Sequence, residues 1–212
     1  MTGSVGATLT ALRLRHRQRH RDWQKSLKDD LAELVALTDQ VRVELCLVGG
    51  VGLAVRQQSF HRNHSDLDLA VFLSDLPAFL AGFESVGYRL YGAQAGLCIS
   101  PWHRVDILRA ISVDAVMAEP NRYCLRLVRG KKSNSVLYTR QRTDVMDLMT
   151  MDISNEGIVL HGYDRVVPHR DFFPLTKFSG SQYVCLPNIR YKSHLPAAWP
   201  RQRKDLAAVG LS

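Results

Sequence analysis

The sequence predicts an α/β fold in a single domain. Short apolar runs that end at glycine alternate along the chain with segments in which apolar residues recur at helical spacing. Val43–Val48 is an apolar run stopped by Gly49 and Gly50, whereas Leu76–Val86 carries leucine and phenylalanine three and four residues apart. A chain of 212 residues also has the length of one domain. We therefore expect strands and helices that alternate around one core.

The N-terminal region divides into a basic segment and a helix. Arg13–Arg21 is dense in positive charge and offers few side chains to bury. We expect a basic, flexible arm over residues 1–22 and one domain over residues 23–212. Apolar residues spaced as in an amphipathic helix run from Trp23 to about Gln40. The arm is either a solvated surface or a contact for phosphates or an anionic membrane surface.

The middle of the chain predicts a central strand followed by a helix. Leu67–Leu73 is apolar on both faces after Asp68, which is typical of a strand buried within a sheet. Ser74 can cap the helix over Leu76–Val86, and Gly87 ends it. Further strands are expected at Tyr88–Tyr91, Leu97–Ser100, Arg104–Leu108 and Ile158–His161.

Two other segments are less regular. Tyr123–Leu137 predicts a hairpin that turns near Gly130, and Met146–Met151 is too short and ambiguous to assign. The proline-rich remainder has little regular periodicity.

Composition and charge exclude several classes of protein. The sequence has no apolar run of about 18 residues and no signal-like N-terminus, so we expect neither a membrane span nor secretion. The four cysteines are scattered without zinc spacing, which favours free thiols in the cytoplasm. The net charge of +8 favours polyanionic partners such as nucleotides or nucleic acid over cationic ones.

The most informative pattern is the D-x-D of Asp66 and Asp68. Residues two apart in a strand face the same side, so these carboxylates project together while Leu67 and Leu69 project the other way. At about 4 Å, two such charges repel by roughly 4 kcal/mol at an effective dielectric constant of 20. Mg²⁺ or Mn²⁺ offsets this repulsion, and Mg²⁺ in proteins commonly binds one or two carboxylates together with substrate phosphates. Solvated acids at a strand end are the alternative.

Paired glycines precede this motif. Gly49 and Gly50 stand between a predicted strand and a predicted short helix at Val51–Gln57. Glycine lets a backbone approach a phosphate closely, and the start of a helix offers N–H donors. A glycine pair followed by D-x-D on the next strand predicts a nucleotide site more strongly than either feature alone.

Four further residues complete the predicted site. Asp106 lies in an apolar strand, where a carboxylate is costly unless it is paired or ligated, so we expect it to bind the metal or act as general base. Its alternative is an ion pair with a neighbouring arginine. Arg56 and Arg62 are candidate phosphate ligands, and His64 faces the same side as Asp66 if the strand begins early. Surface arginines are the alternative for both cations.

At these residues the sequence resembles the nucleotidyltransferase superfamily, and most closely its LicD/fukutin-related branch. Arg56, Phe60, Asp66 and Asp68 stand at that branch's spacing after the glycines, and VDILRA at Asp106 resembles its later acidic strand. The resemblance implies a central mixed β-sheet flanked by helices. It also implies an enzyme that transfers a phospho-alcohol from a CDP-linked donor to a glycan hydroxyl with a divalent metal held by the three acids.

A second stretch resembles the same branch. Asp171–Asn188 (DFFPLTKFSGSQYVCLPN) is similar to its F-P-L, hydrophobic–small–glycine and V-x-x-P-N elements, although hydrophobic packing is the structural alternative. The branch's later Tyr-Gly step is missing here.

A competing resemblance is to small antibiotic-type and toxin-type nucleotidyltransferases. These carry Gly-Gly and R-x-H-x-D-x-D, which Arg62, His64, Asp66 and Asp68 satisfy. A late basic-acidic element is imitated by Lys192, Arg203, Lys204 and Asp205. This resemblance implies transfer of NMP from NTP to RNA or a small molecule. A third possibility is a non-enzymatic module on the same fold that binds RNA or a protein partner.

Overall fold

The computed structural model describes residues 27–59, 64, 67–93, 97–100, 103–130, 133–139, 145–161, 163, 165–195, 200–208 and 210. The chain divides into two compact units, residues 1–34 and 35–212. The arm at Arg13–Arg21 and the predicted boundary after residue 22 lie outside the described residues. No described helix has the length and apolar character needed to cross a membrane.

Twelve strands lie within the described part of the chain and form one mixed sheet. They are β1 (Leu45–Val48), β2 (Leu67–Phe72), β3 (Tyr88–Ala93), β4 (Leu97–Ser100), β5 (His103–Ala110), β6 (Cys124–Arg129), β7 (Ser135–Thr139), β8 (Val145–Ile153), β9 (Gly157–Leu160), β10 (Arg165–Pro168), β11 (Thr176–Lys177) and β12 (Val184–Leu186). The main path runs β11-β12-β1-β2-β8-β6-β3-β5-β4, while β7 pairs with β5 and β9 joins β10 to β8.

Six α-helices and two short 3₁₀ segments accompany these strands in the described residues. The helices are α1 (27–41), α2 (Gly49–Arg56), α3 (Leu76–Ser85), α4 (Val113–Ala118), α5 (His169–Phe172) and α6 (Pro200–Ala208). The 3₁₀ segments are Leu73–Asp75 and Ile189–His194. The predicted α/β class, with a central mixed sheet flanked by helices, is confirmed.

Helix α3 follows its sequence pattern closely. Its apolar stripe of Leu76, Phe79, Leu80 and Phe83 is fully buried, and the chain leaves the helix through Gly87 at φ +89°. The predicted cap at Ser74 is wrong, because Ser74 lies inside the preceding 3₁₀ turn and no side chain caps the helix.

The predicted hairpin around Gly130 is also wrong. β6 pairs with β3 and β8, whereas β7 pairs with β5. Both edges of β6 are therefore used by other strands, and β7 joins the sheet elsewhere. The segment that the sequence left unassigned, Met146–Met151, lies in β8, a long interior strand parallel to β2.

The C-terminal part of the chain packs on one face of β1, β2 and β8. Phe172 and Tyr191 pack with Val48, Ala70 and Met151 in a buried cluster, together with other side chains of β9, β10 and β12. The opposite face of β1 and β2 carries their alternate leucines, and helices α2 and α3 contact these strands.

Arg56 ties this C-terminal part to helix α2. Its Nη1 donates to the Thr176 hydroxyl at 3.1 Å and to the carbonyl oxygens of Leu186 at 3.3 Å and Pro187 at 3.1 Å. Leu186 ends β12, Pro187 follows it, and Thr176 lies in β11, which pairs with β12. β12 in turn pairs in parallel with β1. Arg56 therefore fixes the strand next to β1 against the helix that follows β1.

We expect Arg56→Met to lower the free energy of unfolding by about 1.5–3 kcal/mol, because hydrogen bonds to a charged donor are lost and two carbonyls lose a partner. Urea denaturation measures the effect. Arg190→Met, at an exposed arginine of the same segment, is the matched control and should change stability by less than about 0.5 kcal/mol. Equal effects in the two variants would contradict the structural role of Arg56.

Candidate active site

Two carboxylates stand side by side on adjacent strands. Asp68 of β2 and Asp147 of β8 are direct partners in the parallel register, and Val48, the last residue of β1, is opposite Asp68. Neighbouring strands lie about 4.8 Å apart, and residues paired across them project to the same face. The fold therefore brings together two acids that are 79 positions apart in the sequence (147 − 68).

Gly49 lies against the first of these acids. Its φ is +67°, and a Cβ at this position would overlap the Asp68 carboxylate. Glycine is thus required twice, once for the left-handed backbone and once for the space that Asp68 occupies. The glycine pair begins α2 directly, so the helix starts two residues earlier than the sequence predicts.

The backbone N–H of Gly49 already has a partner within the protein. It donates to the hydroxyl oxygen of Tyr191 at 2.9 Å. Burial raises the pKa of Tyr191 well above its usual value, and the nearby negative charge of Asp68 raises it further. Tyr191 therefore stays neutral and holds the turn that positions Asp68. Phosphate binding by Gly49 and Gly50 stays a prediction, and the Gly49 amide would have to leave Tyr191 to take part in it.

A cation completes the row of charges. Arg126 of β6 is the register partner of Asp147, and its Nη1 forms an ion pair with the Asp147 Oδ1. The side chains of Arg126 and Asp147 are 13% and 28% exposed, so water screens this pair only in part. In the order of the strands, the face carries Asp68, then Asp147, then Arg126.

The strand order bears on the predicted third acid. Asp106 lies in β5, which is separated from β2 by β8, β6 and β3. Four steps of about 4.8 Å along a sheet amount to roughly 19 Å, too far for Asp106 and Asp68 to share one metal ion. Asp147, rather than Asp106, is the described acid that pairs with Asp68 in the register, and the roles of both acids stay predictions.

The signal for Asp147 was present in the sequence. Asp147 is a lone acid in the apolar run Val145–Met149, and this criterion had selected Asp106. Both acids are lone carboxylates in apolar runs, and only the order of strands in the sheet shows which of them lies beside Asp68.

The remaining predicted residues differ in their positions. Arg56 donates hydrogen bonds to Thr176, Leu186 and Pro187. Phosphate binding by Arg56 stays a prediction. Lys192 is buried, with its Nζ 6.0 Å from the centroid of the Tyr191 ring, next to the turn at Gly49. His64 is also buried. Arg62 and Asp66 lie outside the described residues, and their roles stay predictions.

The donor set suits a hard divalent cation. Among the described residues, which exclude Asp66, no group of three histidine, cysteine, aspartate or glutamate side chains is placed to hold a metal ion. Asp68 and Asp147 nevertheless provide adjacent carboxylates, the ligand type that Mg²⁺ prefers. The space kept open by Gly49 lets Asp68 approach the backbone closely. Asp68 and Asp147 therefore fit two ligands of such a cation, and metal binding by Asp66, which lies outside the described residues, stays a prediction.

Comparison with known proteins gives a distant structural likeness. No protein-family model matches the chain, and no curated protein matches its sequence significantly. A crystal structure of ANT(2″)-Ia in complex with adenylyl-2″-tobramycin is 13% identical, with 85% of this chain and 87% of that one covered and a TM-score of 0.45. Lincomycin-bound LnuA, a lincosamide antibiotic adenylyltransferase, is 12% identical, with 87% and 97% covered and a TM-score of 0.43.

A solution structure of the antibiotic-resistance factor ANT(2″)-Ia is 14% identical, with 85% of this chain and 82% of that one covered and a TM-score of 0.46. All three TM-scores lie below 0.5.

We expect Gly49→Ala to be more damaging than Gly180→Ala. Both glycines have a positive φ, but a Cβ on Gly180 would meet no atom within 4 Å, whereas one on Gly49 would displace the Asp68 carboxylate. Thermal or urea denaturation should show about 1–2 kcal/mol of strain in each variant and a larger total loss for Gly49→Ala. Equal losses would mean that Asp68 does not occupy the space beside Gly49.

We expect Tyr191→Phe to destabilise the protein at pH 7 by about 1–3 kcal/mol, because the Gly49 N–H loses its acceptor. The pKa of Tyr191 is raised on folding, so its contribution is complete below the ordinary tyrosine pKa of about 10 and is lost as pH rises above it. Unfolding free energies measured from pH 8 to 11 should therefore fall less steeply in Tyr191→Phe than in wild type. Parallel curves would contradict the buried position of the hydroxyl.

Proposed function

We propose that the chain is a metal-dependent nucleotidyltransferase that moves an NMP group from an NTP to a hydroxyl of a small molecule. The observation that carries this proposal is the pairing of Asp68 with Asp147 beside the Gly49 turn at the end of β1. Two aligned carboxylates next to a tight glycine turn suit a divalent metal that carries substrate phosphates.

The residues have distinct roles in this proposal. Asp68 and Asp147, with Asp66, hold Mg²⁺ or Mn²⁺, and the metal when bound neutralises charge on the transferring phosphate. Tyr191 holds Gly49, which in turn fixes the position of Asp68. Phosphoryl transfer depends mainly on positioning and electrostatic stabilisation. The proposed reaction therefore does not need Asp106 as a general base beside the metal.

The structure changes the weight of the two family resemblances. The stretch Asp171–Asn188 favoured phospho-alcohol transfer, but Phe172, Phe173 and Leu175 pack in the core and β11 and β12 extend the sheet. A packing role accounts for these residues whatever the donor is. The motif that remains is R-x-H-x-D-x-D, which is typical of NMP transfer, so the LicD-like reaction becomes the second candidate.

The cations around the site favour a small acceptor over RNA. Arg56 donates to protein groups, Arg126 pairs with Asp147, and Lys192 is buried. RNA binding draws most of its affinity from exposed cations along a phosphate backbone. These three cations are instead engaged or buried within the protein.

The donor is tested by thermal shift with each NTP and with CDP-alcohols, with and without Mn²⁺. Stabilisation by NTPs that requires metal supports NMP transfer, whereas a preference for CDP-alcohols supports the second candidate. An absence of any metal-dependent shift would contradict both. Transfer from α-labelled NTP to a panel of small hydroxyl compounds and to RNA then identifies the acceptor class.

We expect Asp68→Asn and Asp147→Asn to lower turnover more than about a hundredfold, since each removes a ligand of a metal that contributes several kcal/mol to the transition state. Asp106→Asn is the matched control, and its turnover should stay within a few-fold of wild type. Circular dichroism checks that all three variants fold. Full activity of Asp147→Asn, or a loss confined to Asp106→Asn, would contradict the assignment of the third acid.

A further inference from the structure

Arg126 supplies the positive charge that the pair of acids lacks. Its guanidinium contacts Asp147, which stands beside Asp68 in the same row of side chains. On the far side of Arg126, the row continues with Tyr91, which is fully buried and donates its hydroxyl to the Ser133 carbonyl at 2.8 Å. The register therefore places Arg126 between Tyr91 and Asp147 in this row, with its guanidinium on the Asp147 carboxylate.

This position has a direct electrostatic consequence. A guanidinium on Asp147 offsets the repulsion between Asp147 and Asp68, so the two acids can stand side by side while no other cation is present. The same positive charge opposes a second cation that approaches Asp147. A metal ion arriving alone must therefore either share this carboxylate with Arg126 or displace the arginine.

A nucleotide changes this balance. Its phosphates bring negative charge next to the acids, and they offer Arg126 an anion in place of Asp147, since a guanidinium fork matches phosphate oxygens as well as carboxylate oxygens. Asp147 is then released for the metal that the same phosphates carry.

We propose that Arg126 is a positioning residue that makes metal binding at Asp68 and Asp147 depend on the donor nucleotide. The inference rests on the function proposed above, because it takes these acids as metal ligands. In the free enzyme Arg126 pairs with Asp147 and opposes metal binding there. In the enzyme with bound nucleotide, Arg126 contacts a phosphate of the donor instead. Metal and nucleotide consequently bind with positive coupling, and each raises the affinity for the other by the same factor.

The test measures Mn²⁺ affinity by calorimetry, with and without a non-hydrolysable NTP analogue, in wild type, Arg126→Met, Arg126→Gln and Arg126→Lys. We expect Arg126→Met to bind Mn²⁺ alone about tenfold to a hundredfold more tightly than wild type, because an adjacent guanidinium changes the affinity of a carboxylate for a cation such as the proton by one or more orders of magnitude. It should also lose most of the nucleotide coupling. Arg126→Lys keeps the charge and should stay within about threefold of wild type for Mn²⁺ alone.

The outcomes separate this inference from the proposed function. Unchanged or weaker Mn²⁺ binding in Arg126→Met overturns the role of Arg126, and the same result in Arg126→Gln overturns it if the methionine variant does not fold. Mn²⁺ binding in wild type that requires the analogue, and that Asp68→Asn abolishes, keeps the proposed function in place in either case. Wild type that binds no Mn²⁺ even with the analogue overturns the proposed function itself.

Discussion

The side-by-side placement of Asp68 and Asp147 constrains the rest of the site. Two negative charges on adjacent strands repel each other unless positive charge lies nearby. A neighbouring residue on each side of the pair meets a different requirement. Arg126 neutralises Asp147 from the next strand, while Gly49 leaves the space that the Asp68 carboxylate occupies. An alanine at position 49 or an apolar residue at position 126 would remove the conditions under which the pair is tolerated.

The C-terminal segment maintains this arrangement from a distance in the sequence. Tyr191 accepts a hydrogen bond from the N–H of Gly49. Arg56, at the end of α2, donates to the carbonyl oxygens of Leu186 and Pro187 at the end of β12. β12 in turn pairs in parallel with β1. The turn at Gly49 and the helix that follows it are therefore held by residues more than a hundred positions later in the chain. Contacts between residues so far apart in the sequence carry a loop-closure cost, so the site depends on the pairing of the whole sheet rather than on a local segment.

The sequence predicted the elements that follow from local residue patterns, such as helices and strands. It did not predict the contacts that depend on the order of strands in the sheet. Helix α3, strand β2 and the opposite orientation of Asp68 and its flanking leucines follow from periodicity alone. Asp106 and Asp147 have the same local surroundings of apolar residues, so no local pattern separates them. Only the pairing of β8 with β2 brings Asp147 to the site, and this pairing joins strands separated by five others in the sequence. The hairpin at Gly130 failed for the same reason, since β6 and β7 have other partners.

The position of the acids along their strands places them at the boundary of an apolar cluster, which strengthens their electrostatic interactions. Val48 and Ala70 lie on the same face as Asp68 by alternation, and both belong to the buried cluster beneath Tyr191. The acids therefore stand where an apolar core meets solvent, and charges interact more strongly there than they do in water. A strong local field makes an unbalanced carboxylate pair costly, which accounts for a built-in counter-ion such as Arg126. Under the proposed function, a metal and its nucleotide would gain most by entering together, because their charges offset each other before they reach the acids.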